Sequence, residues 1–265
     1  MNPAPLGVFD SGIGGLTVAH ALFECLPHES VIYFGDTARV PYGPKSPETV
    51  RRYSGEILDF LVRRGVKMVV VACNTSTAHA LEFLRSRSPV PVVGVIEPGG
   101  RAAAAATRAG RVGVIGTVGT IASGAYERAI RDVRAEVSVI SRACPLFVPL
   151  VEEGWFDHPA TELVAREYLK PMQSAGVDVL VLGCTHYPLL KPLLSRVMGP
   201  EVTLIDSAAE TARTVRRELD QRHLLAPDGA QPAHRFVVSD DEAHFRRVGA
   251  RFLGAKLQDV ELVPL

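Results

Sequence analysis

Residues 69–75, VVVACNT, and residues 180–186, LVLGCTH, decide the fold class of this 265-residue chain. In each stretch an apolar run leads into a small residue, a cysteine and a polar residue, and a helix-like segment follows. Continuous apolar runs are typical of parallel strands that helices cover on both faces. The two cysteines lie 111 residues apart, which is about the length of a domain. The stretches therefore predict two similar α/β halves.

The rest of the chain alternates between short β-branched runs and helix-like segments, which predicts an α/β protein with parallel sheets. The predicted strands are residues 6–9, 31–34, 68–72, 92–96, 112–115, 137–140, 179–182, 202–205, 236–238 and 260–263. The predicted helices are residues 16–25, 47–64, 76–86, 100–108, 121–131, 161–175 and 208–223. The glycines after Pro98 indicate a crossing point, so we expect one domain from residues 1–97 and 207–265 and another from residues 98–206.

Composition excludes several classes of protein. Lysine plus arginine and aspartate plus glutamate both number 29, which argues against a nucleic-acid binder with a basic surface. A hydrophobic content of 47% with 22% charged residues is typical of a globular chain. No apolar run approaches the ~20 residues of a membrane span, and residues 1–10 do not resemble a secretory leader. We expect a cytoplasmic protein with reduced cysteines and no membrane or nucleic-acid partner.

The predicted strand ends carry the residues that point to chemistry, because open α/β sheets bind ligands beyond the carboxyl ends of their strands. Cys73 and Cys184 each precede a helix-like segment, where unpaired N–H groups are expected to lower the pKa of a thiol. The same N–H groups, with Asn74, Thr75 and Thr185, form a cradle suited to a carboxylate. A lone buried cysteine usually serves packing, but two at matching strand ends favour a functional role.

The remaining candidates are separated by position. His186 follows Cys184 by two residues, so in an extended backbone both side chains face the same way and the imidazole can tune the thiol. Cys25 and Cys144 lack such neighbours, and we expect them to be packing residues. Residues 10–17, DSGIGGLT, indicate a tight turn rather than a dinucleotide site, because a threonine replaces the third glycine. The cysteine spacing matches no zinc site, so no metal is expected.

Four segments taken together, residues 10–15, 36–43, 72–75 and 183–188, resemble the glutamate racemase family. The resemblance extends over essentially the whole chain and is far more specific than any one segment. It implies two doubly wound α/β domains related by pseudo-symmetry, with the active site in the cleft between them. It also implies a cofactor-independent enzyme that supplies D-glutamate for peptidoglycan, often as a homodimer.

The resemblance also implies roles for individual positions. Cys73 and Cys184 match the two catalytic cysteines of the family, and Asp10, Asp36, Glu152 and His186 match its supporting groups. Glu152 is chosen over Glu153 because the family places the functional acid first. The substrate-binding positions are Asp10, Ser11, Tyr42, Gly43, Cys73, Asn74, Thr75, Thr117, Thr120, Cys184, Thr185 and His186.

Two alternatives remain at this point. Aspartate racemases and broad-specificity acidic amino-acid racemases share the two-cysteine chemistry, and only the pocket for the side-chain carboxylate separates them. A redox-sensing or ligand-binding α/β module is a different class of protein. A sensor should tolerate loss of the acids and of His186, whereas a racemase should not.

Overall fold

Two sheets organise the computed structural model, which describes residues 1–254, 257 and 259–265. Strands β1 to β10 are Leu6–Asp10, Val31–Gly35, Met68–Val71, Val92–Gly94, Arg111–Gly116, Ser138–Ala143, Val179–Gly183, Thr203–Asp206, His234–Val238 and Val260–Leu262. Helices α1 to α11 are Leu16–Cys25, Pro47–Arg63, Asn74–Arg87, Ile96–Ala106, Val118–Ala122, Ala125–Arg131, Phe147–Glu152, Pro159–Ser174, Lys191–Met198, Ser207–Gln221 and Glu242–Leu253. Single 3-10 turns occupy Thr37–Arg39 and Tyr187–Leu190.

The first sheet has the strand order β10-β9-β2-β1-β3-β4 and the second has the order β6-β5-β7-β8. Every pairing in both sheets is parallel. Strands β1, β2, β3 and β7 are buried along their whole length, as their continuous apolar sequences require. The predicted α/β class with parallel sheets is confirmed. We call each sheet with its flanking helices a domain.

The two domains repeat the same local arrangement. β1 pairs with β3 in the first sheet, and β5 pairs with β7 in the second. The loops after β3 and β7 are therefore equivalent, and they carry the two cysteines of the matched stretches. The chain crosses to the second domain through α4 and returns through α10, which pack against each other. Strands β9 and β10 then extend the first sheet beyond β2. The predicted boundaries of the second domain, at residues 98 and 206, stay a prediction.

Two predicted elements differ from the structure for local reasons. The predicted strand 92–96 stops at Gly94 because Ile96 already begins α4, so Glu97 lies in a helix and pairs with Arg85 at the surface. The predicted helix 121–131 is broken in two, because Gly124 adopts a left-handed conformation with φ of 63° between α5 and α6.

Three helices were not predicted, namely α7, α9 and α11. The first two are six and eight residues long, and each contains a proline near its start that interrupts the helical sequence pattern. Helix α11 follows an aspartate pair, of which Asp241 caps the helix by accepting the backbone N–H of His244. Both α7 and α11 reach the site described next.

Candidate active site

A cavity of about 420 Å³ opens between the carboxyl ends of the two sheets. Most of the predicted site residues line it: Asp10, Ser11, Tyr42, Gly43, Cys73, Asn74, Thr75, Thr117, Glu152, Cys184, Thr185 and His186. Asp36 and Thr120 do not line it. The sequence interpretation missed an apolar part of the wall that Val40, Val118, Val148 and Pro149 help to form.

Cys73 lies at the N-cap of α3, where its Sγ accepts the backbone N–H of Ser76 at 3.5 Å. Its thiol also contacts the Ser11 hydroxyl at 3.6 Å. Burial raises the pKa of the Cys73 thiol to about 12, and the negative charge of Asp10 adds to this effect. The hydrogen bonds at the start of α3 lower the pKa of Cys73, but burial outweighs them. The sequence-based expectation of a lowered pKa is therefore wrong for Cys73.

Asp10 ends β1 and is 1% exposed. Its Oδ2 accepts the backbone N–H of Gly12 at 3.0 Å, while its Oδ1 has no hydrogen-bond partner among the described residues. Burial raises the pKa of this carboxyl, although the charge of His186 and nearby N–H groups oppose the shift. A buried carboxylate oxygen with no partner is suited to an incoming cation such as a substrate ammonium.

Cys184, His186 and Glu152 form a connected row on the opposite side of the cavity. The Sγ of Cys184 lies 3.8 Å from Nδ1 of His186, and the Nε2 of His186 lies 2.8 Å from Oε1 of Glu152. Burial alone would lower the pKa of His186, but hydrogen bonds to Cys184 and Glu152 outweigh it and raise the value to about 10. Against the effect of burial, the hydrogen bond from His186 lowers the pKa of Glu152. The imidazole is therefore a cation between two acceptors.

Residues of the first domain contact His186 and Glu152 and hold them in place. The ring of Phe252, in α11, meets His186 edge-on with 5.3 Å between ring centroids. The neighbouring Arg251 donates from Nη1 to the carbonyl of Glu152 at 3.1 Å. The loop after β1 also touches the row, because a Cβ atom at Gly14 would lie 2.4 Å from Nδ1 of His186. The acid–base groups of one domain are thus fixed by the other.

A row of threonines joins the two domains beside the cavity. The Oγ1 atoms of Thr75 and Thr117 are 2.9 Å apart, and Thr117 also donates to Thr120 at 2.9 Å. Thr120 thus lies behind the lining residues and orients them. Asn74, next to Thr75, is 2% exposed, and its Nδ2 has no partner within the described part of the chain. These groups can hold a carboxylate at the start of α3.

Asp36 lies behind the cavity wall and contacts a residue that lines it, Tyr42. It is fully buried and accepts hydrogen bonds from the Tyr42 hydroxyl, from Arg39 Nε at 2.7 Å and from Ser239 Oγ at 2.8 Å. Burial, followed by the charge of Asp36, raises the pKa of Tyr42. The structure therefore places Asp36 as the anchor of Tyr42, which itself lines the cavity.

Three further features concern metal binding, membrane spans and the remaining buried cysteine. Across residues 1–254, 257 and 259–265 no cluster of three or more His, Cys, Asp or Glu side chains is arranged to hold a metal ion. No helix in that part of the chain is long and apolar enough to cross a membrane. Cys144 is fully buried, and burial raises the pKa of its thiol to about 12, as a packing residue requires.

Known proteins with this arrangement are enzymes. The sequence profile of a family described as Asp/Glu/hydantoin racemase matches residues 16–215. A glutamate racemase of Geobacter metallireducens is 60% identical over 260 residues, covering 98% of this chain and 96% of that protein. A glutamate racemase isoform of Bacillus anthracis has a solved structure with a TM-score of 0.96 and 41% identity, covering 100% of this chain and 99% of that one. A glutamate racemase of Francisella tularensis, solved with D-glutamate, has a TM-score of 0.93 and 38% identity, covering 99% and 98%.

Proposed function

The chain belongs to the Asp/Glu/hydantoin racemase family, and we propose that it interconverts L- and D-glutamate with Cys73 and Cys184 as the two bases. One observation carries this proposal. The two cysteines follow equivalent strands, β3 and β7, yet both line a single cavity between the domains. One rigid base cannot easily serve both faces of Cα, and this arrangement offers two candidate bases.

The reaction removes the Cα proton from one face and delivers a proton to the opposite face. One cysteine, as thiolate, removes the Cα proton and becomes a thiol, and the other, as thiol, delivers its proton to the opposite face. The roles exchange in the reverse direction, so atoms and charge balance over a full cycle. By resemblance to the family, Cys184 acts on the L-enantiomer and Cys73 on the D-enantiomer.

The surroundings of the cysteines stabilise the carbanion that develops at Cα. N–H groups at the start of α3, with Asn74 and Thr75, are placed to hold the α-carboxylate. The unpartnered Oδ1 of Asp10 is suited to the ammonium. Closure of the two domains around a cavity of about 420 Å³ removes water, which strengthens each of these interactions.

The two cysteines have different neighbours in the cavity. The raised pKa of Cys73 keeps that residue a neutral thiol, whereas the Sγ of Cys184 lies 3.8 Å from Nδ1 of a cationic His186. In the direction from L- to D-glutamate, Cys73 therefore has the proton that it delivers, and Cys184 removes the Cα proton beside a positive charge. For the reverse reaction, a substrate ammonium close to Asp10 and Cys73 supplies the positive charge that the empty site lacks on that side.

The circular dichroism of L-glutamate over time tests the activity, with reducing agent and EDTA present and without pyridoxal phosphate. We expect decay to zero with the unmodified chain and a flat trace with Cys73→Ala or Cys184→Ala. Cys25→Ala is the matched control, since Cys25 does not line the cavity, and it should keep the full rate. Near-normal turnover in either active-site variant would exclude the two-base mechanism. Decay with aspartate but not glutamate would favour the alternative substrate.

Deuterium incorporation separates two bases from one. In D2O the thiol that delivers a proton carries deuterium from the solvent, so the D-glutamate formed from L-glutamate should carry deuterium at Cα. The cysteine that removed the Cα proton holds protium and can return only that to the same face, so early in the reaction the remaining L-glutamate should carry no deuterium. Equal early labelling of both enantiomers would point to a single base. Mass spectrometry after chiral separation provides the measurement.

We also propose the cellular role that the resemblance implies, which is supply of D-glutamate for peptidoglycan by a cytoplasmic homodimer. Expression of this chain in a bacterium that depends on added D-glutamate tests the role, and growth without the supplement is expected. The Cys184→Ala variant provides the control and should not support growth. Sedimentation of the purified protein tests the dimer, and a mass of 28.5 kDa would contradict it.

A further inference from the structure

Tyr126 occupies the centre of the contact between the domains. It belongs to α6 and is 2% exposed. Its ring lies against both crossing helices and the end of β7. A Cβ atom at Gly99 in α4 would be 3.3 Å from Cε1 of the ring, and one at Gly183 would be 3.0 Å from Cε2. The ring is therefore closely packed at two of its edge atoms, which fixes the position of the phenolic oxygen.

That hydroxyl points across the domain boundary at Asn74. It donates to Oδ1 of Asn74 at 2.7 Å. Ser207, the first residue of α10, is a neighbour of the ring, since its Cβ and Cε1 of Tyr126 both lie 3.3 Å from a Cβ atom built at Gly99. The side chains of Tyr126 and Asn74 form one line from the second domain to the start of α3.

This line determines which end of the Asn74 amide faces the cavity. An amide whose oxygen already accepts a hydrogen bond must present its NH2 group elsewhere. Nδ2 of Asn74 is buried with no partner among the described residues, and Asn74 lines the cavity. A buried donor without a partner is costly, so the empty site is built for a ligand that brings an acceptor there.

We propose that Tyr126 is a positioning residue that, from the second domain, holds the Asn74 amide with its N–H group toward the substrate carboxylate. The proposal rests on the proposed function, since it assumes glutamate in this cavity. Asn74 belongs to the first domain and Tyr126 to the second. The Asn74 NH2 group is therefore oriented only when the two domains have the arrangement seen here. Without the phenolic hydroxyl the amide is free to turn, and its oxygen would then face the carboxylate.

Tyr126→Phe tests the proposal because it keeps the buried ring and removes only the hydroxyl. The substrate carboxylate is charged before the reaction and gains negative charge as the carbanion develops, so a lost donor should weaken substrate binding and slow the reaction. We expect KM for glutamate to rise about tenfold, with kcat lowered as well. Tyr168→Phe, a second-domain tyrosine outside the cavity lining, is the matched control and should keep the normal KM.

A double-mutant cycle with Asn74→Ala distinguishes positioning from a general structural role. If Tyr126 acts through Asn74, the change to phenylalanine should alter KM less than twofold once Asn74 is alanine. Equal effects of Tyr126→Phe with and without Asn74 would overturn the proposal, as would a normal KM in the single variant. Far-UV circular dichroism and the thermal midpoint of each variant verify that the fold is kept.

The outcomes also separate this proposal from the proposed function. If the unmodified chain does not racemise glutamate, the proposed function fails before Tyr126 is tested. If the unmodified chain is active and Tyr126→Phe matches it in KM, the positioning role fails and the racemase remains.

Discussion

At the scale of single residues, the two active-site cysteines have opposite electrostatic surroundings. Cys73 is buried beside the carboxylate of Asp10, whereas Cys184 lies 3.8 Å from a cationic imidazole. The pseudo-symmetric strands therefore carry chemically unequal thiols. The difference in surroundings predicts an unusually unreactive Cys73, which can be measured.

Cys73 should react slowly with iodoacetamide at pH 8, because the thiolate is the nucleophile and its pKa is raised to about 12. Asp10→Asn removes the negative charge that contributes to this shift, so alkylation of Cys73 should become roughly three- to tenfold faster. Mass spectrometry of the peptide that contains Cys73 gives the rate. The half-buried Cys25 is an internal reference whose rate should not change, and an unchanged Cys73 rate would contradict the role assigned to Asp10.

Glu152→Gln should alter the pH dependence of kcat/KM. The negative charge of Glu152, which helps to raise the pKa of His186, is lost, while burial, which lowers it, remains. His186 then loses its proton at lower pH, so the alkaline decline of activity should begin about one pH unit earlier. The pH–rate profile of the two proteins provides the measurement.

The adjacent Glu153 offers a matched control for this variant. Its side chain is exposed and does not line the cavity, so Glu153→Gln should keep the normal profile. An identical shift in both variants would mean that net charge, rather than the contact with His186, causes the effect.

Residue types at the strand ends could be predicted from the sequence, but their charge states could not. Asp10 is the last residue of β1, and Cys73 and Cys184 follow the ends of β3 and β7, as the apolar runs predict. The raised pKa of Cys73 depends on burial by loops distant in sequence. The start of α3, which the sequence does reveal, lowers the pKa of Cys73 less than burial raises it.

At the scale of elements, the loop between β1 and α1 is packed so closely against the second domain that it tolerates no side chain at Gly14. A Cβ atom there would lie 2.4 Å from both Thr185 Oγ1 and His186 Nδ1. Gly14→Ala must therefore push the two loops apart, and overpacking of this kind typically costs 1–3 kcal/mol. We expect kcat/KM to fall about 100-fold while far-UV circular dichroism stays normal.

Gly55→Ala in α2 is the comparison for this variant. Its Cβ atom would meet only the side chain of the half-exposed Phe83, at 3.1 Å, and alanine favours a helix. It should retain activity within about twofold. Full activity in Gly14→Ala would show that the loop can move without disturbing His186.

Two of the three helices that periodicity failed to predict, α7 and α11, complete the site. Helix α7 supplies Glu152 and an apolar part of the wall, yet its six residues include Pro149 and span less than two turns. Helix α11 brings Phe252 against His186 from a part of the chain about 65 residues further on. Such placement depends on tertiary packing, which a local pattern does not contain.

At the scale of the whole molecule, both domains contribute to one cavity, so ligand binding should stabilise them together. Glutamate at about 100 times its dissociation constant should add about 2.7 kcal/mol to the free energy of unfolding in urea. D-Alanine, which lacks the side-chain carboxylate, should add less at the same concentration. Equal stabilisation by both amino acids would mean that the cavity does not recognise that carboxylate.

The repeat of cysteine-bearing strands predicted the two-sheet architecture, because Cys73 and Cys184 report on equivalent positions of two similar halves. What the repeat could not predict is how the halves face each other. That arrangement depends on contacts such as the Thr75–Thr117 hydrogen bond of 2.9 Å and the approach of Gly14 to His186. Both contacts join residues that are distant in sequence, so no local sequence pattern predicts them.

The return of the chain to the first sheet has a consequence for the order of biosynthesis. β9 pairs with β2, and Ser239, directly after β9, holds Asp36 behind Tyr42. A ribosome releases every strand of the second sheet before β9, so the second domain can mature while the first still lacks its edge. The wall that contains Tyr42 is secured last. A nascent chain can thus complete this side of the cavity only after β9 has emerged and paired with β2.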